Sequence, residues 1–513
     1  MTHDIALPPA HPTGELSLVE SDPVVIDTYN GAVHVEWDSA SSMTPLGQLG
    51  FFVQYLKTAG LFDAYVADCP LAYRSPNAPK TRDVLGTLLL SVLSGHWRYA
   101  HIGALRGDTV ATELLGMKKI ISDDAARRGL KAIDVEAGAI WQHRHLDYCT
   151  APLLAEPWVL DVDTTIKPLY GHQEGAVVGY NPHKPGRPSH VYHTYAIARL
   201  RLVLDVDVTA GNQHTSNHTA PGLWGLLDRT PPDCWPRLLR GDAGFGNEAM
   251  MREAEGRALP YLFKQRQTAR IKRVIARLQA SSHWVHAGQG WYAHEATARL
   301  EGWSRERRLV VLRRRIGSAM TSQIEARRNG QLALNLIEIT SDQPLHDYIV
   351  LVTSLEEDID AIGQLYRDRG DAENTFDELK NQWGWAGYTT RDLARCGLMA
   401  RNIALVYNWW NIFVRLAEPD KHLEAITSRP LLLLGIAERV RHARRTSLRI
   451  ASCHERAGKA AAVLKGIATF LTGLVETAPQ LNSFEQWRQI LARAFCAFLK
   501  GRQLRLPPRL GAT

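Results

Sequence analysis

Apolar residues change their spacing several times along the chain, and each change marks a different kind of element. From Pro45 to about Leu146 they recur at intervals of three and four. Leu49, Phe52, Val53, Leu56 and Leu61 form one such set, and Val84, Leu88, Leu89, Val92 and Leu93 another. This period predicts amphipathic helices, broken at Pro70, Pro76 and Pro79. At Trp158–Ile166 the pattern becomes that of a strand, with Val159, Asp161 and Asp163 on one face and Leu160, Val162 and Thr164 on the other. Two more strands are predicted over His190–Ala198 and Leu200–Thr209. A short one over Pro236–Leu239 runs into Gly241-Asp-Ala-Gly-Phe245. Residues 261–278 predict a basic helix, and 282–340 alternate as strands that include Arg308–Leu312 and Leu332–Ile339. The apolar run Tyr348–Ser354 predicts a fully buried strand. Helical spacing returns over Glu357–Lys380, 391–416 and 431–498. Strands followed by helices in this order fit a mixed α/β layer.

The polar positions of Tyr366–Lys380 are as informative as the apolar ones. On a continuous helix Tyr366, Arg369, Glu373 and Lys380 fall within a stripe about 60° wide. A solvated face held by an i,i+4 Arg369–Glu373 pair explains such a stripe in isolation. The rest of the chain gives it another meaning.

Charge is unevenly distributed over the 513 residues, whose net value is +7. Residues 1–42 hold no Lys or Arg, carry seven acids and four prolines, and predict a flexible acidic lead with a strand at Ala32–Trp37. Residues 431–513 hold fourteen Lys/Arg against four acids. Concentrated basic charge points to a polyanionic partner, most often nucleic acid. Ser122 predicts an N-cap for a short basic helix with Arg127 and Arg128, in the manner of a helix-turn-helix. Lys184 and Arg187 lie in a basic loop, and Arg270 and Arg273 in the basic helix. The six dispersed cysteines read as reduced thiols. The lack of a signal-like leader or an eighteen-residue apolar run predicts a cytoplasmic protein with no membrane partner.

Three acids stand at unusual positions: Asp163 within a strand, Asp242 at the end of another, and Glu373 on the polar stripe. Carboxylates converging from two strands and a helix suit a pair of Mg²⁺ ions, with Mn²⁺ able to substitute, and phosphodiester chemistry. The segments Asp163-Thr-Thr165, Arg240-Gly-Asp-Ala-Gly-Phe245 and Tyr366-x2-Arg369-x3-Glu373-x6-Lys380 resemble the three motifs of DDE transposases of bacterial insertion sequences. The resemblance is to the subgroup with the Y-x2-R-x3-E-x6-K signature and a β-rich insertion before its last acid, and it spans roughly residues 45–500. It implies an α/β, ribonuclease-H-like catalytic domain with Asp163, Asp242 and Glu373 as catalytic metal ligands. Tyr366, Arg369 and Lys380 would contact DNA phosphates. The implied reaction is cut-and-paste transposition of double-stranded DNA, acting on terminal inverted repeats and target DNA in a synaptic homodimer near the nucleoid.

The corresponding division is an acidic lead (1–42), a helical DNA-binding region (43–150), and a catalytic domain in two parts (151–280 and 346–416). A β-rich insertion (281–345) separates those parts, and a basic helical region (417–513) follows. Several rivals stay open. Asp161 shares the face of Asp163 and competes for its role. Asp205 and Asp207 repeat the Leu-Asp-Val-Asp word and read as edge or turn residues. His214 and His218, with His190 and His193, could be zinc ligands. Trp284, Trp291 and Trp303 are either core or a platform for a flipped base. An inactive DNA-binding relative, or a nuclease without strand transfer, would carry a similar sequence.

Overall fold

The computed structural model describes residues 24–38, 41–73, 75–182, 184–213, 216–316 and 346–504. Three expectations therefore lie partly or wholly outside the described residues: the strand Leu332–Ile339, His214, and most of the acidic lead.

The strands are β1 (Val24–Thr28), β2 (Gly31–Val35), β3 (Met43–Thr44), β4 (Val159–Pro168), β5 (Val177–Val178), β6 (Pro188–Ile197), β7 (Leu202–Ala210), β8 (Leu238–Gly241), β9 (Tyr261–Lys264), β10 (Val285–His286), β11 (Trp291–Ala298), β12 (Arg307–Arg315), β13 (His346–Thr353), β14 (Ile436–His442) and β15 (Arg445–Ala451). Strand β4 is the spine of a ten-stranded sheet. It pairs antiparallel with β6 and parallel with β8, while β7 adds to β6 and β9 to β8. Taken in chain order as one to five, β4, β6, β7, β8 and β9 lie side by side as 3-2-1-4-5, a ribonuclease-H-like arrangement. Strands β13, β12, β11 and β10 continue the same sheet beyond β9. Among the described residues, β10–β13 thus extend that sheet rather than forming a separate one.

Composition explains the spine. Leu160 and Val162 are fully buried on one face of β4, and β4 is covered on both sides like a central parallel strand. Asp161, Asp163, Thr165 and Lys167 line the opposite face, all buried. The long helix Leu393–Ala417 packs on β7, where Asn408 donates to Val203 O at 2.7 Å and accepts from Val203 N at 2.9 Å. That exchange satisfies backbone groups which a sheet edge would otherwise leave open. Helices Leu49–Thr58, Leu61–Ala67, Thr81–Leu93, Asp123–Ala132 and Val135–Leu154 realise the N-terminal helical pattern. Ser122 Oγ accepts from Ala125 N at 3.3 Å, as a cap should.

Four expectations are corrected. Residues 261–264 are strand β9, and the basic helix begins only at Ala269. Glu357–Lys380 is two helices, Ile359–Arg367 and Gly370–Asn381, joined at Asp368–Arg369. Within 431–498 the segment 436–451 is an antiparallel hairpin, β14–β15, with β3 along its other edge. In the lead, residues 24–35 form a β-hairpin. Among the described residues one helix, Ala457–Thr477, is long and apolar enough by composition to cross a membrane. Its Leu464, Ile467 and Leu471 are buried, and it packs on the helix Leu49–Thr58.

Candidate active site

Asp163 leaves β4 beside the carboxyl end of the parallel strand β8, where Asp242 follows Gly241. Gly241 is required there, because a Cβ would stand 2.9 Å from the Phe245 ring. The turn is closed by Gly244 N donating to Asp242 Oδ1 at 2.8 Å. Asp163 Oδ1 accepts from Thr164 N at 2.7 Å, and its Oδ2 takes the Arg369 guanidinium. Burial drives the Asp163 carboxyl up to about 6. Arg369 opposes that rise, and the nearby carboxylates Asp242 and Glu373 add to it.

The helix break sets the geometry. Arg369 occupies the corner between the two helices and is 5% exposed. Its Nη1 lies 3.7 Å from Glu373 Oε1, so one guanidinium stands between Asp163 and Glu373. Burial works most strongly against its charge, but Asp163, Tyr366, Asp242 and Asp161 together outweigh it and hold the guanidinium above its ordinary range. Glu373 itself is solvent-facing, on the first turn of Gly370–Asn381. Tyr366 ends the preceding helix half-buried, and burial carries its hydroxyl up to about 12. Lys380 is half-buried two turns after Glu373, and burial lowers its ammonium.

The corner is clamped from the sheet. Arg199 reaches Asp368 at 2.6 Å, and Arg201 reaches Asp371 at 3.2 Å. Arg240 on β8 makes a bidentate pair with Asp161, with both bonds 2.7 Å and both side chains 2% exposed. Its third donor binds Leu365 O, next to Tyr366. Asp161 is thus committed to a structural pair, which separates it from Asp163. Sequence reasoning missed Arg240 in this role, although it stands inside the Arg240–Phe245 motif.

Asp205 lies on the edge strand β7 but is buried, and it holds Arg401 and Arg229 at 2.9 Å and His143 at 3.0 Å. Asp207 binds the same Arg401. His193 bonds Thr219 and Thr209, and His190 bonds Glu174 O. Among the described residues no three His, Cys, Asp or Glu side chains gather closely enough to hold a metal. Asp163, Asp242 and Glu373 are likewise not gathered, and the Arg369 guanidinium stands between two of them.

A cleft of about 1020 Å³ opens beside Asp242 and is lined by Lys167, Lys184, Lys264, Arg266 and Lys380. A second groove, of about 810 Å³, shares Ala243, Gly244, Gln265, Arg266 and Thr268 with it and continues past Arg270 and Arg273. The structure therefore brings Lys184, Arg270, Arg273 and Lys380 to one continuous cationic channel. Lys184 also donates to Tyr170 Oη at 2.5 Å, and Arg187, which lines neither opening, lies over the same ring at 4.8 Å. Arg127 is spent on Asp123 and Asp124, each at 2.7 Å, while Arg128 on the same helix is exposed. Lys167 was not singled out from the sequence. Its signal is its position four residues after Asp163 on the same strand face. Its Nζ donates to Gly387 O and to Tyr192 Oη at 3.2 Å, and burial lowers it to about 8. Trp291 and Trp303 are buried, and Trp284 is half-buried beneath Arg313 at 4.0 Å.

The family described as Transposase DDE domain group 1 matches residues 72–470. No curated relative matches the chain. Among solved structures, the chain is similar to that of a piggyBac transposase synaptic complex with hairpin DNA, determined by cryo-EM. That similarity has 12% identity over 89% of this chain and 88% of that one, with a TM-score of 0.36.

Proposed function

Because the chain belongs to the transposase DDE domain group 1 family, we propose that the cleft cuts the ends of a bacterial insertion sequence and joins them to target DNA. The observation that carries this reading is one buried guanidinium, Arg369, bound to Asp163 and 3.7 Å from Glu373, beside a cationic cleft lined by Asp242. The buried Asp163 calls for positive charge beside it, and the donor set of the three acids is all oxygen. That chemistry fits Mg²⁺, with Mn²⁺ as a substitute, held by Asp163, Asp242 and Glu373. When bound, such ions activate the attacking oxygen and stabilise the leaving one.

The chain's own groups do the positioning. Arg369, once free of Asp163, offers a planar fork to a phosphate, and Lys380 offers a point charge. The Tyr366 hydroxyl keeps its proton and donates it in a hydrogen bond to a phosphate oxygen. Lys184, Arg270 and Arg273 follow the backbone of double-stranded DNA along the channel. Hydrolysis exchanges one P–O bond for another and leaves a 3′-OH. That hydroxyl then attacks a target phosphodiester, again exchanging one P–O bond for another, with no covalent protein–DNA link. Two element ends would be held in a homodimer.

The test is incubation of the purified protein and Mg²⁺ with labelled DNA carrying the inverted repeats that flank its coding sequence, plus a target plasmid. Transposition yields nicked ends and joined products. Nicks without joints would make the protein a nuclease, and neither product would make it a DNA-binding relative.

A further inference from the structure

The β-hairpin β14–β15 lies outside the cleft and carries charge that the fold does not use. Cross-strand partners share a face. Arg439 with Leu448, and Arg441 with Thr446, form one face, while Glu438 with Arg449, and His442 with Arg445, form the other. The first face is held against the body. Arg439 and Arg441 both bind Glu113, Arg439 also reaches Ser42 Oγ at 2.9 Å, and Leu448 lies beside Gly50. Strand β3 pins the base of the ribbon through Met43 and Thr44. On the opposite face and at the tip, Arg444, Arg445 and Arg449 are exposed. Among the described residues no side-chain hydrogen bond or ion pair engages them.

The turn adds an independent observation. Its two central residues, Ala443 and Arg444, have φ of 46° and 66°. Both positions are left-handed, the geometry usually given to Asn-Gly and disfavoured for other residues. The chain adopts it nonetheless and presents an arginine at the tip. A two-stranded ribbon is also one of the two shapes that the major groove of duplex DNA admits.

We propose that this hairpin is a second DNA contact, separate from the cleft, in which Arg444, Arg445 and Arg449 grip the phosphate backbone of a duplex as the tip enters a groove. The choice of DNA as partner rests on the transposase reading. The other candidate for a basic ribbon is an acidic protein segment, and residues 1–42 of the chain have that composition.

The experiment is equilibrium binding of the full chain to a short fluorescent duplex over a series of salt concentrations. Wild type is compared with Arg444→Ala/Arg445→Ala/Arg449→Ala. Loss of three phosphate contacts lowers the slope of log K against log salt by about 2–3 and weakens binding at least tenfold at physiological salt. The thermal melting temperature stays unchanged, because the three side chains hold nothing in the fold. Equal affinity and slope in the two proteins would overturn the assignment. Tighter binding by the variant would also overturn it and would point to the acidic segment as the occupant. If wild type itself failed to bind the duplex, the transposase reading would fall as well, so the two failures are distinguishable.

Discussion

Arg369 joins Asp163 of the central strand to Glu373 of the following helix: its Nη2 binds Asp163 Oδ2, and its Nη1 lies 3.7 Å from Glu373. One buried cation therefore occupies the ground between two of the three proposed metal ligands. Removing it leaves a buried carboxylate uncompensated, so Arg369→Gln should cost about 3 kcal/mol of stability without divalent ions. Urea unfolding measures this. With excess Mg²⁺ the loss should shrink, because a bound cation replaces the missing charge. An equal loss under both conditions would mean that no metal reaches Asp163.

Asp161 and Asp163 should separate cleanly on stability. Asp161 and Arg240 are each 2% exposed and pair bidentately, so Asp161→Ala strands a buried guanidinium and should cost about 3 kcal/mol. Asp163→Asn removes a carboxylate that burial and two neighbouring acids disfavour, and it leaves the Arg369 guanidinium an amide oxygen and the nearby Glu373, so it should cost clearly less than Asp161→Ala. The reverse order would exchange the roles of the two acids.

The pH dependence has a definite sign. The folded protein holds Asp163 at about 6 against an ordinary value of 3.8, so it keeps a proton that the unfolded chain has released. This contribution to stability is fully present below about pH 4 and declines as pH rises towards 6, by roughly 3 kcal/mol in all. Comparing wild type with Asp163→Asn in metal-free urea titrations isolates it. The difference between the two proteins should grow across this window and level off above it.

Much of this site was legible in the sequence because its residues offend local rules. An acid on a buried strand and an acid in a glycine-rich turn both needed a reason, and Asp163 and Asp242 stand where that logic put them. The corner at Arg369 was not legible: helical spacing runs through it, and only Gly370 hints at a break. Tyr261–Lys264 is too short for its period to distinguish strand from helix. The hairpin 436–451 was hidden for another reason. Its turn is Ala443-Arg444 rather than Asn-Gly, so the usual marker of a tight turn is missing.

The cationic channel gives a contrast between two basic residues. Lys380 lines the cleft, so Lys380→Ala should weaken duplex binding several-fold and reduce the salt slope by about 0.9. Arg127 already spends its guanidinium on Asp123 and Asp124, so Arg127→Ala should leave both quantities unchanged. Binding isotherms at several salt concentrations check both. A larger effect at Arg127 would move the DNA path to the N-terminal helices.

The most direct measurement is Mg²⁺-dependent cleavage of labelled element ends by wild type and by Asp163→Asn, Asp242→Asn and Glu373→Gln, with end binding measured in parallel. Each variant should bind the ends nearly as wild type does and lose cleavage by at least two to three orders of magnitude, the scale on which removing one charge-stabilising group slows an enzyme. Efficient cutting by Asp163→Asn in Mg²⁺ would contradict the assignment of the site.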